Sequence, residues 1–544
     1  MIRSFALEAA AAILVFGALS CASPADPSCQ VAHNPLTFSD IPDPDVIRVG
    51  EDYYMISTTM YFTPGAPIMH SRDLVHWETV NYVFDVLEDD DFYNLRGGKD
   101  AYGKGQWAAS LRFFGGMWYV LFMAPEQEGK TYVFRSPDIM SRQWEKNVLP
   151  RQFHDASMLF DTDGQVYLLW SNGDLTLTRL SGDLLQAAPE SEDKVIISSP
   201  SEGYGLRAEG SHIYHIGDWY YVLEIDWPED GIRTETCWRS RSLEGPYESR
   251  VVLQGTIDGL DNAGVAQGPI VDTPSGEWYA IMFQDHGAVG RIPTVQRVTW
   301  TDGWPVMGDG GVPEQDVRVN LPPSGRDYVW DSDEFSSGDL ALVWQWNHKC
   351  DSSLWSLTER PGWLRLLAGR KPARDLSLAR NTLTQRTVGP RCESVVLLDC
   401  SGLKPSSRAG ICAFQSRRAS IGVEVDSDGN RHIVARESHM VAGEKDDDAF
   451  RVENKVAEVD LEENLVWLRI RYVFTPADPG DAGDIAILEY SMDGEKWEPA
   501  LCRLPMEYTL DYFTGYRSAL FCYATAPEGA GAAADFDFFR QRVY

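Results

Sequence analysis

The chain has 544 residues, 44% of them hydrophobic, and carries a formal net charge of −33 at pH 7. This length is too great for one hydrophobic core, so roughly two domains are expected. The composition, with 18 tryptophans, excludes a disordered or fibrous chain. The acidity argues against nucleic-acid binding, because no basic stripe is present to displace counterions from phosphates.

The first 22 residues predict a secretory signal peptide. Arg3 precedes an apolar run from Ala9 to Leu19, and the small residue Ala22 follows near the expected cleavage site. A lipoprotein signal ending at Cys21 is the alternative. The apolar run is too short to span a membrane and no other stretch is long enough, so we expect a secreted, extracellular protein that is not embedded in a membrane.

Five short segments share one pattern, in which a turn glycine leads into a strand rich in aromatic and β-branched residues. They are GEDYYMI at Gly50, GMWYVLF at Gly116, GQVYLLW at Gly164, GDWYYVL at Gly217 and GEWYAIM at Gly276. The intervals between these glycines, 66, 48, 53 and 59 residues, are near the size of one propeller blade. The repeat therefore predicts a five-bladed β-propeller over residues 30–312.

A polar residue precedes each of these glycines, beside an apolar run: Asp43, Ser110, Asp155, Glu209 and Gln267. The first strand of every propeller blade lines the central channel, so these side chains should converge on one axis. Three of them are carboxyl groups, and crowded carboxyl groups usually perform chemistry or bind a cation. A strand-end cap is the commoner role for a single Asp, but three in register with the repeat favour a functional site.

The pattern changes after the propeller. Residues 313–328 are rich in proline and polar residues and predict a linker. From 329 to 544, short alternating strands punctuated by Gly, Asp and Pro predict an antiparallel β-sandwich. No convincing amphipathic helix occurs, so the whole protein is expected to be all-β. Six of the cysteines lie beyond residue 340, so disulfides are plausible there in an oxidising compartment.

The side chains around the carboxyl groups favour one kind of chemistry. No nucleophile elbow, zinc, P-loop or dinucleotide motif is present. Paired carboxyl groups fit glycoside hydrolysis, in which one acid protonates the leaving oxygen and the other activates water. Trp107, Tyr204 and Trp227 are candidates to stack on sugar faces, although blade packing is the commoner role of such rings.

Three segments resemble the active-site signatures of glycoside hydrolase family 43, whose members are five-bladed propellers. They are PDPDVIRVGEDYYM, FHDASMLFDTDGQVYLLW and AEGSHIYHIGDWYYVL. This resemblance covers residues 40 to about 310. The later segments WQWNH, WSLTERPGWLRL and ADFDFFR resemble the concanavalin A-like (jelly-roll) β-sandwich that follows the propeller in xylosidase- and arabinofuranosidase-type members.

The resemblance implies roles for individual residues. Asp43 corresponds to the general base, Glu209 to the general acid and Asp155 to the aspartate that modulates the pKa of that acid. An ionised Asp155 would oppose ionisation of Glu209 and keep it protonated near neutral pH. Asp45 ranks second for the base. Trp107 and Arg291 correspond to substrate-contacting positions.

The resemblance also bears on metals and substrates. Many members carry a His in the fifth blade that contacts a central cation or water, and Gln267 stands at that place here, with His286 as a possible substitute. No cofactor is expected to be required, and a structural calcium ion stays open. The implied substrate is a plant pentosan, and we expect an inverting, exo-acting α-L-arabinofuranosidase on arabinoxylan.

Two alternatives stay open. A β-D-xylosidase is close to the first interpretation, because a pentose pocket is only a few side chains deep and one substitution can switch its preference. An inactive propeller that only binds carbohydrate belongs to another class, and retention of all three carboxyl groups argues against it. The sandwich is either a glycan-binding domain or a part that completes the pocket.

Overall fold

The computed structural model describes residues 28–125, 129–171, 173–184, 186–188, 192–200, 202–257, 264–441, 450–475 and 482–544. The predicted signal peptide lies outside the described residues. Helical structure in the described ranges consists of short 3-10 turns at Gly287–Val289, Ser352–Leu354, Leu376–Leu378 and Pro527–Gly529. No helix there is long and apolar enough to cross a bilayer.

Five four-stranded antiparallel sheets follow one another along the chain and form the blades of the propeller. Strand β1 (Gln30–His33) precedes them. Blade 1 contains β2 (Asp45–Val49), β3 (Asp52–Ile56), β5 (Gly65–Ser71) and β6 (Glu78–Phe84), with the short β4 (Phe62–Thr63) leaving the blade after β3. Blade 2 contains β7 (Ala109–Phe114), β8 (Met117–Ala124), β9 (Lys130–Ser136) and β10 (Glu145–Leu149).

The remaining three blades have the same plan. Blade 3 contains β11 (Ser157–Phe160), β12 (Val166–Trp170), β13 (Leu175–Leu180) and β14 (Lys194–Ile197). Blade 4 contains β15 (Tyr204–Ile216), β16 (Trp219–Pro228), β17 (Thr234–Ser240) and β18 (Glu248–Gln254). Blade 5 contains β19 (Ile270–Asp272), β20 (Trp278–Asp285), β21 (Arg291–Thr301) and β22 (Trp304–Met307).

The five repeated glycines lie in the turns that join the first two strands of each blade. All of them have positive φ: 68° at Gly50, 80° at Gly116, 78° at Gly164, 62° at Gly217 and 87° at Gly276. A Cβ added at any of them meets no atom within 4 Å, so the backbone conformation, and not lack of space, requires glycine. The prediction of five blades from the glycine repeat is confirmed.

The segment predicted as a linker lies against the propeller. It contains β23 (Asp316–Val319), which pairs antiparallel with β1. Further along, the Ser324 N–H donates to Asp73 and the Thr79 N–H donates to the Tyr328 carbonyl, so the segment follows blade 1.

Two large sheets form the C-terminal sandwich, whose strands are β24 (Gln345–Asn347), β25 (Trp355–Ser356), β26 (Leu364–Leu367), β27 (Leu383–Arg386), β28 (Arg391–Asp399), β29 (Ser407–Phe414), β30 (Arg418–Val425), β31 (Arg431–Val441), β32 (Phe450–Asp460), β33 (Leu465–Val473), β34 (Ile485–Ser491), β35 (Cys502–Pro505), β36 (Arg517–Ala524) and β37 (Ala533–Val543). One sheet has the order β32-β31-β30-β29-β36-β27-β24-β4, and the other has the order β25-β26-β37-β28-β33-β34-β35. The all-β prediction of a propeller followed by a sandwich is confirmed.

The two domains share structure. Strand β4 comes from blade 1 in sequence, yet it pairs with β24 at the edge of the eight-stranded sheet. One apolar cluster joins Phe62 and Phe122 of the propeller to Cys412 and Phe521 of the sandwich. Burial of apolar side chains from both domains in one core holds the sandwich in a fixed position against the propeller.

The disulfides considered for the C-terminal half are not formed by its buried cysteines. Cys392, Cys400, Cys412, Cys502 and Cys522 are free thiols in the interior, as is Cys237 in blade 4. Burial raises the pKa of Cys392 and of Cys412 to about 12, so these thiols are unreactive packing residues.

Candidate active site

A repeated hydrogen bond links the inner strands around the channel and fixes their register. In each of blades 1 to 3, one side chain accepts a backbone N–H from the next blade: Asp45 Oδ2 from Leu111 (2.8 Å), Ser110 Oγ from Met158 (3.1 Å) and Ser157 Oγ from Ile213 (3.1 Å). Ser110 is therefore equivalent to Asp45, and not to Asp43 as the sequence pattern suggested. The unequal lengths of the blades concealed this offset of two residues.

A second set of equivalent positions lies two residues earlier, where the chain enters each inner strand. Asp43, Asp155 and Gln267 have φ of 51°, 44° and 55°, and Gly210 in blade 4 has φ of 60°. These four residues line the channel together. Glu209 precedes Gly210 by one residue, beside an irregularity in the pairing of β15 with β16. The sequence pattern placed Glu209 in the channel register, but the structure turns its side chain aside, towards blade 3.

Asp43 is buried and held by two donors. The Thr58 hydroxyl donates to Asp43 Oδ2 at 2.6 Å, and the Arg291 guanidinium pairs with Oδ1. Burial works against the charge of Arg291, but Asp43 together with its acidic neighbours Asp285 and Glu209 and with Tyr508 outweighs burial and raises the pKa of Arg291. Arg291 also donates to Asp285 Oδ1 at 3.2 Å. This arrangement stabilises Asp43 as a carboxylate and fixes its orientation.

Glu209, His154 and Asp155 form a coupled group on another side of the pocket. His154 Nε2 lies 3.3 Å from Glu209 Oε2 and 3.8 Å from Asp155 Oδ2. Burial raises the pKa of Asp155 to about 7, and the Glu209 and Asp43 carboxylates act in the same direction against the opposing effect of His154. Burial disfavours the imidazolium of His154, but Asp155 and Glu209 raise its pKa to about 9. The group therefore retains protons near neutral pH.

Aromatic rings from both domains wall the pocket. The Trp107 ring lies edge-on to His154 at 5.9 Å and nearly parallel to Phe513 at 5.7 Å, measured between ring centroids. Phe513 belongs to the sandwich, and its ring lies 4.8 Å from the Arg291 guanidinium, which faces Phe283 on its other side at 4.6 Å. Thus the sandwich supplies part of the pocket wall.

A buried carboxyl group anchors this wall. Asp40 accepts the Arg291 N–H through Oδ1 and the Gly515 N–H through Oδ2, both at 2.9 Å. Because Gly515 follows Phe513 by two residues, Asp40 connects the blade-5 strand that carries Arg291 to the sandwich segment that carries Phe513.

Tyr204 and Trp227 lie farther along the β15–β16 hairpin than Glu209. Tyr204 is opposite Pro228 and Leu206 is opposite Trp227, whereas Glu209 is opposite Ile225. The Arg233 guanidinium lies 4.8 Å from the Trp227 ring and pairs with Asp285, which in turn contacts Arg291. Trp227 is thus connected to Asp43 only through Arg233, Asp285 and Arg291. Tyr204 lies at the open end of the hairpin.

Asp45 has a structural role in the channel below Asp43. Asp45 Oδ2 accepts from Arg112 at 2.7 Å, and Asp45 Oδ1 lies 3.5 Å from His212, whose pKa is lowered by burial. The cavity there has a volume of about 20 Å³, enough for one water. Calcium takes six to eight oxygen ligands. The Arg291 and Arg112 guanidinium groups already neutralise the Asp43 and Asp45 carboxylates, so these residues do not fit a calcium ion.

The remaining candidate metal ligands are the group of His154, Asp155 and Glu209, and the residues His286 and Gln267. Possible ligand atoms of His154, Asp155 and Glu209 lie within 4.8 Å of one another, but a cation there would compete with the protons described above. His286 is buried and packs edge-on against Phe38 at 4.5 Å. Gln267 packs on Gly210, where an added Cβ would lie 2.5 Å from the Gln267 side chain.

Sequence reasoning missed several residues of the site. His154 lies inside the HDAS segment and could have been found from its position next to Asp155. Thr58 and Asp285 carry no comparable signal. Phe513 lies some 470 positions from Asp43 in the chain, and only the docking of the sandwich brings it to the pocket.

Comparisons with known proteins match both domains. The profile of "Glycosyl hydrolases family 43" matches residues 32–305, and that of "Beta xylosidase C-terminal Concanavalin A-like domain" matches residues 332–542. A β-xylosidase of Formosa agariphila is 30% identical over 562 residues, which cover 93% of this chain and 89% of that protein. A non-reducing end α-L-arabinofuranosidase of Bacteroides ovatus is 30% identical over 358 residues, which cover 61% of this chain and 64% of that protein.

A solved structure also resembles the whole chain. It is described as a bifunctional GH43-CE protein of Bacteroides eggerthii and superposes with a TM-score of 0.85 at 39% identity. The match covers 94% of this chain and 64% of the other, so the chain spans less than two thirds of that protein's length. On this evidence from both domains, the chain belongs to glycoside hydrolase family 43 and is a glycosidase.

Proposed function

We propose that the protein is an inverting, exo-acting glycosidase that removes single pentose residues from xylan-type hemicellulose. The observation that supports this most strongly is that the carboxyl groups of Asp43 and Glu209 lie in different environments. Asp43 is paired with the Arg291 guanidinium and accepts from Thr58, while Glu209 lies beside His154 and Asp155, whose pKa values are both raised. A base and an acid with these environments are what single-displacement hydrolysis needs.

In the proposed mechanism, Asp43 Oδ accepts a proton from a water molecule as that water attacks the anomeric carbon. Glu209 donates its proton to the glycosidic oxygen as the bond to the leaving group breaks, so the leaving sugar departs with a neutral hydroxyl. When it is ionised, Asp155 places negative charge near Glu209 and opposes early loss of that proton, and His154 orients the Glu209 carboxyl group through its contact at 3.3 Å.

The wall supplied by the sandwich favours action at chain ends or side groups. Phe513 stacks against Trp107 and Arg291, so one side of the pocket is closed by a second domain. A pocket closed on one side accepts a terminal sugar more readily than the middle of a polysaccharide chain. Stacking of a pentose ring against these aromatic faces excludes water and positions the anomeric carbon.

We propose α-L-arabinofuranose on arabinoxylan as the first substrate and β-D-xylose on xylo-oligosaccharides as the second. The Bacteroides ovatus relative bears an arabinofuranosidase name, which supports the first. The Formosa agariphila relative, which matches 93% of this chain, bears the name β-xylosidase, which supports the second.

Incubation with the p-nitrophenyl glycosides of α-L-arabinofuranose and β-D-xylose, followed by product analysis on arabinoxylan, tests the proposal and ranks the two sugars. We expect single pentoses as the products. Binding of arabinoxylan without release of any sugar would instead identify an inactive carbohydrate-binding propeller. We further propose export through the segment 1–22, which cell fractionation of the producing organism would test.

A further inference from the structure

A cleft between the propeller and the sandwich lies outside the active site. Its volume is about 860 Å³, and it lies between the propeller loop around Arg96 and the sandwich segment 369–380. This volume falls in the range of roughly 300–1,000 Å³ that is typical of sites for small organic ligands. None of the residues assigned to catalysis lines it.

The charge of the cleft is opposite to that of the molecule. Its lining contains five cationic side chains and one carboxyl group, namely Arg96, Arg370, Lys371, Arg374, Arg380 and Asp351. The whole chain has 81 acidic and 48 basic residues, so a basic cleft is contrary to the overall composition. Charges of one sign in a concave, partly apolar site focus the field and attract an anion.

These cations are only partly neutralised by the protein. Arg380 lies 3.5 Å from Asp351, and Arg374 contacts its neighbour Asp375 at 3.2 Å. Among the residues that the structure describes, Arg96, Arg370 and Lys371 have no carboxylate within 4.0 Å. Positive charge is therefore left over at the mouth of the cleft.

Arg380 of the sandwich and Arg96 of the propeller repel each other across the domain boundary. Burial lowers the pKa of Arg380, and the positive charge of Arg96 acts in the same direction despite Asp351. The Arg380 Nε is buried and has no hydrogen-bond partner. A bound anion near these guanidinium groups would relieve the repulsion.

The rest of the lining is apolar. The lining includes the side chains of Leu95, Leu354, Leu378, Ala373 and Tyr523. A small inorganic anion would fill a minor part of this volume and make no use of these surfaces. A sugar ring has an apolar C–H face, and a uronic acid adds a planar carboxylate that matches the guanidinium fork.

We propose that this cleft binds a carboxylate-bearing saccharide, that is, a uronic-acid-substituted segment of a hemicellulose chain. The choice of a hemicellulose rests on the proposed function, whereas the preference for an anionic sugar rests on the cleft itself. Such binding would hold the polysaccharide on the enzyme without taking part in the bond cleavage.

The test uses the full chain and a double variant, Arg370→Gln with Lys371→Gln. Both side chains are exposed and outside ion pairs within the described residues, so the fold should be retained. Calorimetric titration with a xylotetraose carrying one glucuronic acid is compared with neutral xylotetraose at about 50 and 150 mM salt. We expect tighter binding of the acidic ligand, weakened at least about tenfold in the variant.

The matched control is Arg503→Gln with Lys496→Gln, which makes the same change in net charge on exposed positions outside the cleft. It should bind like the wild type. Equal affinity for the acidic and neutral ligands, or an equal loss in the control, would overturn the proposal. Inorganic phosphate is titrated in parallel, and binding of phosphate that depends on Arg370 and Lys371 without binding of the uronate would also overturn it.

Turnover separates this proposal from the proposed function. Hydrolysis of the p-nitrophenyl pentosides should stay within about twofold of the wild type in the cleft variant, because the small substrate does not reach the cleft. Uronate binding without any pentoside turnover would support the cleft and refute the function. Turnover without uronate binding would support the function and refute the proposal for the cleft.

Discussion

At the scale of single residues, the structure distinguishes carboxyl groups that look alike in the sequence. Asp43 and Asp45 are two residues apart and both line the channel. Asp43 meets Arg291 at the pocket, while Asp45 pairs with Arg112 and caps the Leu111 N–H. Their partners assign Asp43 to chemistry and Asp45 to the stability of the channel.

This distinction predicts the activity of three variants. Asp43→Asn and Glu209→Gln should each lower kcat on arabinoxylan by at least about a hundredfold, because loss of a general base or acid typically has that effect. Asp45→Asn should retain activity within about tenfold and instead lower the melting temperature, because it weakens a buried ion pair. Near-normal turnover by either of the first two variants, or a greater loss at Asp45, would refute the assignment.

A second prediction concerns the pH profile of kcat/KM. Glu209 must be protonated to act, so activity falls as rising pH removes its proton, and its neighbour Asp155, with a pKa of about 7, becomes negatively charged in the same pH range. In Asp155→Asn the negative neighbour is gone, the proton leaves at lower pH, and the basic limb should move to lower pH.

The companion variant His154→Gln should move that limb the other way, to higher pH, since it removes the positive charge that favours ionisation. Opposite shifts in the two variants would identify electrostatic control of the acid. A loss of rate with an unchanged profile in Asp155→Asn would point to substrate positioning instead.

At the scale of elements, strands and short segments from both domains meet at the pocket. Strand β4 leaves blade 1 to pair with β24, and Asp40 ties the sandwich segment at Gly515 to the start of β21. These two connections fix the position of Phe513 relative to Arg291. The sandwich thus shapes the pocket whether or not it binds glycan on its own.

Substitution of Phe513 tests this contribution. Phe513→Ala should lower kcat/KM for the pentosides by about 10- to 100-fold, mainly through KM, because burial of a phenyl ring contributes roughly 1.5–3 kcal/mol. Leu510→Ala, at a largely exposed position of the same segment, should behave nearly as the wild type. Circular dichroism and the melting temperature show whether the fold is retained. An unchanged KM in Phe513→Ala would show that the sugar does not touch this wall.

At the scale of the whole molecule, the propeller separates the acid from the base. Asp43 enters from blade 1 and pairs with Arg291 of blade 5, while Glu209 comes from blade 4 and contacts His154 at the entry to blade 3. The two carboxyl groups therefore have different partners on different sides of the pocket. We therefore expect this placement to leave room for a water molecule between the base and the sugar.

The geometry predicts inversion at the anomeric carbon. Carboxyl groups roughly 6.5–9.5 Å apart act by single displacement, whereas those about 5–5.5 Å apart form a covalent intermediate. Proton NMR of the first-formed pentose should show the anomer opposite to that of the substrate before mutarotation. The same anomer, or transfer of the sugar to methanol, would indicate a nucleophilic carboxylate.

Much of the fold followed from local chemistry in the sequence. The five glycines with positive φ recur because each blade needs the same tight turn, and this repeat determined the number of blades. Asp43 and Asp155 were identified because their positions recur with it. Ser110 and Glu209 were placed in the wrong register, because blades of unequal length and an irregularity in β15 are invisible to a periodicity argument.

Tertiary structure alone decided the rest. The contact of His154 with Glu209, the pairing of Arg291 with Asp43 and the arrival of Phe513 all join residues distant in the chain. The same holds for the basic cleft, whose Arg96 and Arg380 come from different domains. A turn is set by a few neighbouring residues, but a site of this kind depends on how whole domains bury their apolar surfaces against each other.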